Sequence, residues 1–275
     1  MATATATAWR TGRATTLRTW HMTRRAYPWT YAVGTVLPAA LTIALGYLGF
    51  HAIGGGETGA DFARGSGTSA YLAYLAVGAT AFQFTVRLIL WSAKALITEQ
   101  RQGTLGALLI APATRLPYLL GFTAFAVLSS IAEFLTLGVV IGALGISIPV
   151  ASAPGAVAGA LALIVAVFAL SVGLGGLMIA AGEAHISQNT VFIVLGLLCG
   201  YTFPRDYLPG YVRWLAEAFP TTAAMDVLHG TLTGGHTLTD LAPRLATSLL
   251  LSAAYLLLGV RTLPYFERRA VERTY

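Results

Sequence analysis

Glu133 is an acid inside an otherwise uncharged apolar run, 116–146. A carboxyl in that setting can carry a proton, meet a cationic cargo, or pin one helix to another. An exposed acid at the bilayer centre costs roughly 2.5–3.5 kcal/mol on insertion scales, so Glu133 is expected to face protein or water. Ser129, Ser130 and Thr136 stand three or four residues away and are placed to hydrogen-bond it. Arg87, about two helical turns from the end of another apolar run, is expected to snorkel or to pair with an acid.

Other site chemistries lack their residues. A phosphate-binding loop needs a lysine after glycines, and the single lysine, Lys94, follows Ser92 and Ala93. There is no HExxH, no CxxC, and no acid pair at helical spacing to hold a metal inside an apolar run. Gly65-Ser66-Gly67 has no histidine at a matched depth and reads as a flexible loop tip. Cys199 is alone, which excludes an internal disulfide and leaves a buried core position. The chain is therefore not expected to be an enzyme by itself, nor to bind a metal or cofactor.

The elements around these residues follow from composition. Of 275 residues, 56% are hydrophobic and 10% charged, against about 25% charged in an ordinary soluble domain. A membrane span needs about 20 mostly apolar residues. Runs of that kind lie at 31–50, 70–93, 116–146, 155–181, 187–201 and 241–263. The expected fold is all-α and integral to a membrane: a single transmembrane domain, 1–275, with six spans. Segment 1–30 is an amphipathic stretch along the membrane surface, with Trp9, Thr16, Leu17 and Trp20 on one side and Arg10, Arg18, His21 and Arg25 on the other. A twin-arginine export signal at Thr23 to Ala26 fits poorly, because further apolar runs follow in place of a soluble domain. Basic residues gather at 1–30, around 94–115 and in 261–273, which puts both termini in the cytoplasm and leaves 203–240 outside and 264–275 as a cytoplasmic tail. The net charge of +6 then reflects topology and anionic lipid, with no support for nucleic-acid binding. An excess of arginine and alanine suggests a GC-rich bacterial genome and hence a bacterial inner membrane.

Between the second and third runs lies the polar loop 98–112. Gly103 breaks the preceding helix, Thr104 is placed to cap the next, Leu105, Leu108 and Leu109 form one apolar face, and Pro112 stops it. An exposed leucine face is a docking knob; a face turned inward is a loop helix packing on its own spans, and spacing leaves both open. In 203–240, Pro204, Pro209 and Pro220 cut the chain into short pieces, with an apolar face at Leu208, Val212, Leu215 and Phe219.

EQRQGTLGALLIAP followed by ATRLPYLLG resembles the intracellular loop of ABC-2 type transporter permeases, and GYTFPRDYLPGYVRWLAEAFPTTAAMDVLHG is similar to their external segment. The flavour is that of daunorubicin-resistance and nodulation-factor export permeases. The resemblance implies a six-span permease of an ABC exporter with an N-terminal connecting helix. Glu99, Gly103, Thr104, Leu105, Leu108 and Leu109 would form the coupling helix, which fits a separate ATPase subunit. Gly106 departs from the family, which usually has an acidic residue there. Short re-entrant helices would close the exit, with Phe203, Pro204, Leu208 and Trp214 as gate candidates. The substrate-path candidates are Phe82 and Val86 on the second span, Glu133 on the third, and Gln188, Phe192 and Leu195, with Cys199, on the fifth; the same faces also suit plain helix packing.

The implied assembly has two permease copies, or one and a homologue, with two ATPase subunits that hold ATP and Mg. It would move an amphipathic or hydrophobic cargo (drug, secondary metabolite, lipid or glycolipid) outward. The alternative is an ion- or proton-coupled secondary transporter using Glu133.

Overall fold

The computed structural model describes residues 2–26, 30–110 and 115–272. No strand occurs among them. The helices are α1 (Ala2–Ala26), α2 (Thr30–Ala52), α3 (Ala60–Ser66), α4 (Tyr71–Arg101), α5 (Leu105–Ile110), α6 (Arg115–Ala143), α7 (Ala153–Ala181), α8 (His185–Leu198), α9 (Gly210–Ala216), α10 (Pro220–Leu232) and α11 (Ala242–Glu272), with a 3-10 turn at Arg205–Tyr207.

Helices α4, α6, α7 and α11 are long and apolar enough to cross a membrane. The other two expected spans fall on shorter apolar stretches, Val36–Ala52 in α2 and Gln188–Leu198 in α8. The 14 residues of α8 extend about 21 Å at 1.5 Å per residue, less than a hydrocarbon core of roughly 30 Å.

Local chemistry sets the ends of the best-defined span. α7 begins at Ser152, whose hydroxyl accepts from the Gly155 N–H, with a proline in the first turn, and stops at Gly182 in the left-handed region. α11 departs from expectation by continuing beyond 263, through Pro264, to Glu272. A proline removes one helical hydrogen bond, and tertiary contacts offset that here: Phe266 packs over the Cβ-less face of Gly176, and Glu267 pairs with Arg115 at 3.2 Å.

Around α7 pack α4, α10 and α11, and their buried side chains form one apolar core. A second, smaller cluster joins α2 to α4 and α6 through Ala39, Ile43, Ala76 and Leu137. Backbones touch where a Cβ would not fit. A methyl on Gly78 of α4 would lie 1.5 Å from the Tyr201 carbonyl oxygen, so the chain after α8 runs directly against α4.

α1 lies along α6 partly through the side read from its apolar pattern, where Thr16 and Trp20 meet Gly121 and Phe125, and partly through a row of threonines beside it. Thr15, Thr19 and Thr23, one turn apart, are buried, and the Thr16 hydroxyl donates to the Gly121 carbonyl at 2.9 Å. A Cβ on Gly121 would come within 2.6 Å of the Gly12 carbonyl, so the two helices are in backbone contact. Trp9, Leu17 and Trp20 stay largely exposed. The helix thus buries a row of threonines against α6 and leaves Trp9 and Leu17 exposed, while Arg18 reaches back to Glu99.

Candidate functional site

Glu99, in the last turn of α4, is 5% exposed. Its carboxylate accepts from Arg18 Nη1 of α1 at 2.9 Å and from the Tyr118 hydroxyl of α6 at 2.8 Å. It also accepts from the Thr104 hydroxyl at the head of α5. One side chain therefore holds four helices at the end where α4 finishes. The link to α5 is tight because Gly103, at φ 72°, reverses the chain and lets the Thr104 N–H donate to the Glu99 carbonyl at 2.9 Å. The Thr104 hydroxyl is thus turned back to Glu99.

The leucine face of α5 is not the exposed one. Leu105 is buried and Leu108 packs against the main core, while Gly106, Ala107 and Ile110 face outward, Ile110 at 88% exposure. The side chain of Leu109, and Pro112, lie outside the described residues. The period-3.6 pattern marked the side that α5 buries in its own protein, so an outside partner would meet the opposite side.

Glu133 does not use its neighbouring hydroxyls. Ser129 and Ser130 donate to the Ala126 carbonyl and Thr136 to that of Ala132, as helical serines and threonines do when their own backbone is nearer than any other acceptor. The partner is Arg87 of α4, with Nη2 2.6 Å from Oε2. The two are 46 positions apart in sequence, counted from their numbers, and only the packing of α4 on α6 brings them together.

The remaining path candidates face inward within this chain. Gln188, Leu195 and Cys199 are buried, Phe192 packs on the core, and α8 turns Ile193 and Leu197 outward instead. Val86 is half-buried. Phe82 sits with its ring 5.3 Å from that of Tyr201 and lines a small cavity of about 210 Å³ with Pro38, Thr42 and Gly196.

At the end where α4 begins, four charged groups interlock. Arg205 reaches Glu217 and Asp226, each at 2.6 Å, and Arg244 reaches Glu217 at 2.7 Å and Asp226 at 3.3 Å. These residues come from the 3-10 turn, the end of α9, α10 and the start of α11, so the square ties the short pieces to a long helix. Burial works to raise the Glu217 carboxyl, but Arg244 and Arg205 outweigh it and hold the group below its usual value. The square lines a cavity of about 710 Å³, with Tyr74 and His229 beside it. The His229 ring stacks on Tyr74 at 3.7 Å and shares a hydrogen bond of 3.2 Å with the Tyr201 carbonyl; burial pushes its pKa down to about 4. No spacing in the sequence marks these four residues as a group; they meet only through the packing of separate elements. Of the gate candidates, Pro204 is buried, Leu208 packs on the core, Phe203 is half-buried, and Trp214 is 79% exposed. Pro204 and Trp214 line the cavity beside the charged square, whereas Phe203 lines a separate one. Nor is Gly65-Ser66-Gly67 a loop tip: it ends α3, with Gly67 in the left-handed region.

Among the described residues, no group of three His, Cys, Asp or Glu side chains is placed to hold a metal ion. Compared with known families, residues 13–233 match the model described as ABC-2 type transporter. No curated protein matches the chain. The matched span begins inside α1 and ends just past α10, and so takes in the Glu99 junction, the Arg87–Glu133 pair and most of the charged square.

Proposed function

The chain belongs to the ABC-2 type transporter family, and from that premise we propose that it is the membrane-spanning permease subunit of an ATP-driven exporter. It is a multi-pass membrane protein whose part is permeation, while ATP and Mg belong to a separate ATPase subunit, two copies per assembly. Two permease copies, or one and a homologue, surround the path, with α2 and α8 completing six spans. Both termini are cytoplasmic, in a bacterial inner membrane. The cargo is amphipathic or hydrophobic, in keeping with the apolar character of α4 and α8.

The observation that carries this reading is the Glu99 junction. α5 is fastened to α4 through Glu99 and Thr104, to α6 through Tyr118 and to α1 through Arg18, and it presents Gly106, Ala107 and Ile110 outward. A push on α5 thereby reaches three other helices without a flexible step. ATP binding supplies such a push if the partner binds the inward-open and outward-open states with different affinity. The pair of short helices at the opposite end, held by the charged square, closes the exit.

The Arg87 partner supports this reading over a Glu133-coupled transporter, because the carboxylate is already matched to a buried cation.

The test is purification of the full chain from its host in mild detergent with the co-purifying proteins identified. A stoichiometric ATPase is expected, and it should be lost in Ile110→Asp while that variant remains folded. Recovery of intact chain alone from the wild type overturns the proposal.

A further inference from the structure

Beside the Glu99 junction, a cavity of about 680 Å³ opens between α1, α2, α4 and α6. Part of its wall is apolar: Leu90, Trp91, Phe122 and Met22, with the Trp91 and Phe122 rings stacked at 6.5 Å. The rest is charged, with Arg18, Lys94 and Glu99. Glu99 is matched by Arg18, so the net charge of the wall is that of Lys94. Lys94 is the only lysine in the sequence, and it is half-buried. Among the described residues its ammonium has no hydrogen-bond or ion-pair partner, in contrast with Arg18, Arg87, Arg115, Arg205 and Arg244.

Glu183 attracts the Lys94 ammonium through space and Arg101 repels it; half-buried beside tryptophan and leucine, the ammonium still gains when an anion fills the space. Which anion is decided by the wall. A free inorganic ion would use Lys94 and leave the aromatic side wet, whereas an amphiphile covers both. The wall is shared by α1, whose lining Met22 and neighbouring Leu17 and Trp20 are exposed, and by the apolar helices α2 and α4. That is where a lipid headgroup and the top of its chains lie.

We propose that this cavity binds an anionic phospholipid from the leaflet at the α5 end, its phosphate on Lys94 and Arg18 and its upper acyl chain along Leu90, Trp91 and Phe122. Arg18 gives one N–H to Glu99 and has further donors for phosphate oxygens. Room is ample on the α2 side, where a Cβ on Gly34 meets nothing within 4 Å. This site stands whether or not the exporter reading holds, because it rests on the cavity alone.

The test uses the full chain in nanodiscs of phosphatidylcholine doped with phosphatidylglycerol, with retained lipid counted by native mass spectrometry. Wild type is expected to retain phosphatidylglycerol selectively. Lys94→Gln lowers that retention about fivefold, the usual worth of one cation near an anionic surface, and Lys94→Arg preserves it. Gly34→Leu, which narrows the cavity and keeps both cations, also lowers it. Equal retention in wild type and Lys94→Gln overturns the site, and retention that survives Gly34→Leu in a folded chain overturns its placement. Displacement of the lipid by excess inorganic phosphate overturns the amphiphile and assigns a free anion.

Discussion

Arg87 and Glu133 face each other at 2.6 Å with 3% and 1% of their side chains exposed, so α4 and α6 are joined by a shielded charge pair. Removing one partner of such a pair strands the other, at about 3–5 kcal/mol, whereas replacing both with apolar residues of similar size is often neutral. Glu133→Gln and Arg87→Met are each expected to lower the melting temperature in detergent, and the double variant Arg87→Met/Glu133→Leu to recover most of the loss. The double variant should also still transport. A stable double variant with no transport would restore Glu133 to the path.

Glu99 takes three donors from three other helices. Tyr118→Phe removes one of them and should cost about 1 kcal/mol. Arg18 is half exposed, so Arg18→Ala should cost less. Glu99→Ala removes the side-chain ties of α5 and leaves the backbone bond from Thr104 and the packing of Leu105 and Leu108, so the expected readout is faster proteolysis of the turn at Gly103 with the melting temperature of the remaining core little changed.

Leu108→Asp and Ile110→Asp separate the two sides of α5. The first puts a charge among core side chains and should destabilise the chain itself; the second leaves thermal stability within about 0.5 kcal/mol of wild type, as exposed substitutions do.

Gly78→Ala drives a methyl into the Tyr201 carbonyl oxygen and should cost about 1–3 kcal/mol, since both contacting atoms lie on backbone. Gly106→Ala meets nothing within 4 Å and should be neutral or stabilise α5 by about 0.5–1 kcal/mol. Parallel thermal melts distinguish them.

The His229 imidazole is held neutral by burial, with its pKa lowered to about 4 from an ordinary 6.5. The unfolded chain takes up a proton first as pH falls, so stability is present above about pH 6.5 and is lost progressively toward pH 4, by about 3 kcal/mol at most. Glu217, also depressed, adds loss in the same direction at lower pH. His229→Gln keeps a donor for the Tyr201 carbonyl and should flatten the decline between pH 6.5 and 4.5 in melts of the purified chain.

What sequence made legible was whatever depends on long runs or single backbone events. The spanning helices α4, α6, α7 and α11 follow from apolar length, and the break at Gly103 from glycine. Spacing also found the apolar face of α5, but periodicity marks a face as apolar without saying whether the molecule's own core or a partner covers it. The buried threonine row of α1 was hidden because threonine is neutral on a hydropathy wheel, yet its small size and back-bonded hydroxyl let a helix approach Gly121 closely. The Arg87–Glu133 pair and the Arg205–Glu217–Asp226–Arg244 square depend on tertiary juxtaposition of residues on different elements. α11 runs past the expected span because Pro264, which would stop an isolated helix, lies in one packed along its side.

The continuation of α11 past Pro264 makes a mechanical element of it. Thirty-one residues form a rod of about 46 Å, and tilting it by about 5° around one end swings the other by roughly 4 Å. Arg244, at one tip, belongs to the charged square, and Glu267, near the other, is tied to Arg115 where α6 begins. The rod has a handle at each end, so strain applied near α5 has a stiff, side-braced route to the latch on the far side of the molecule.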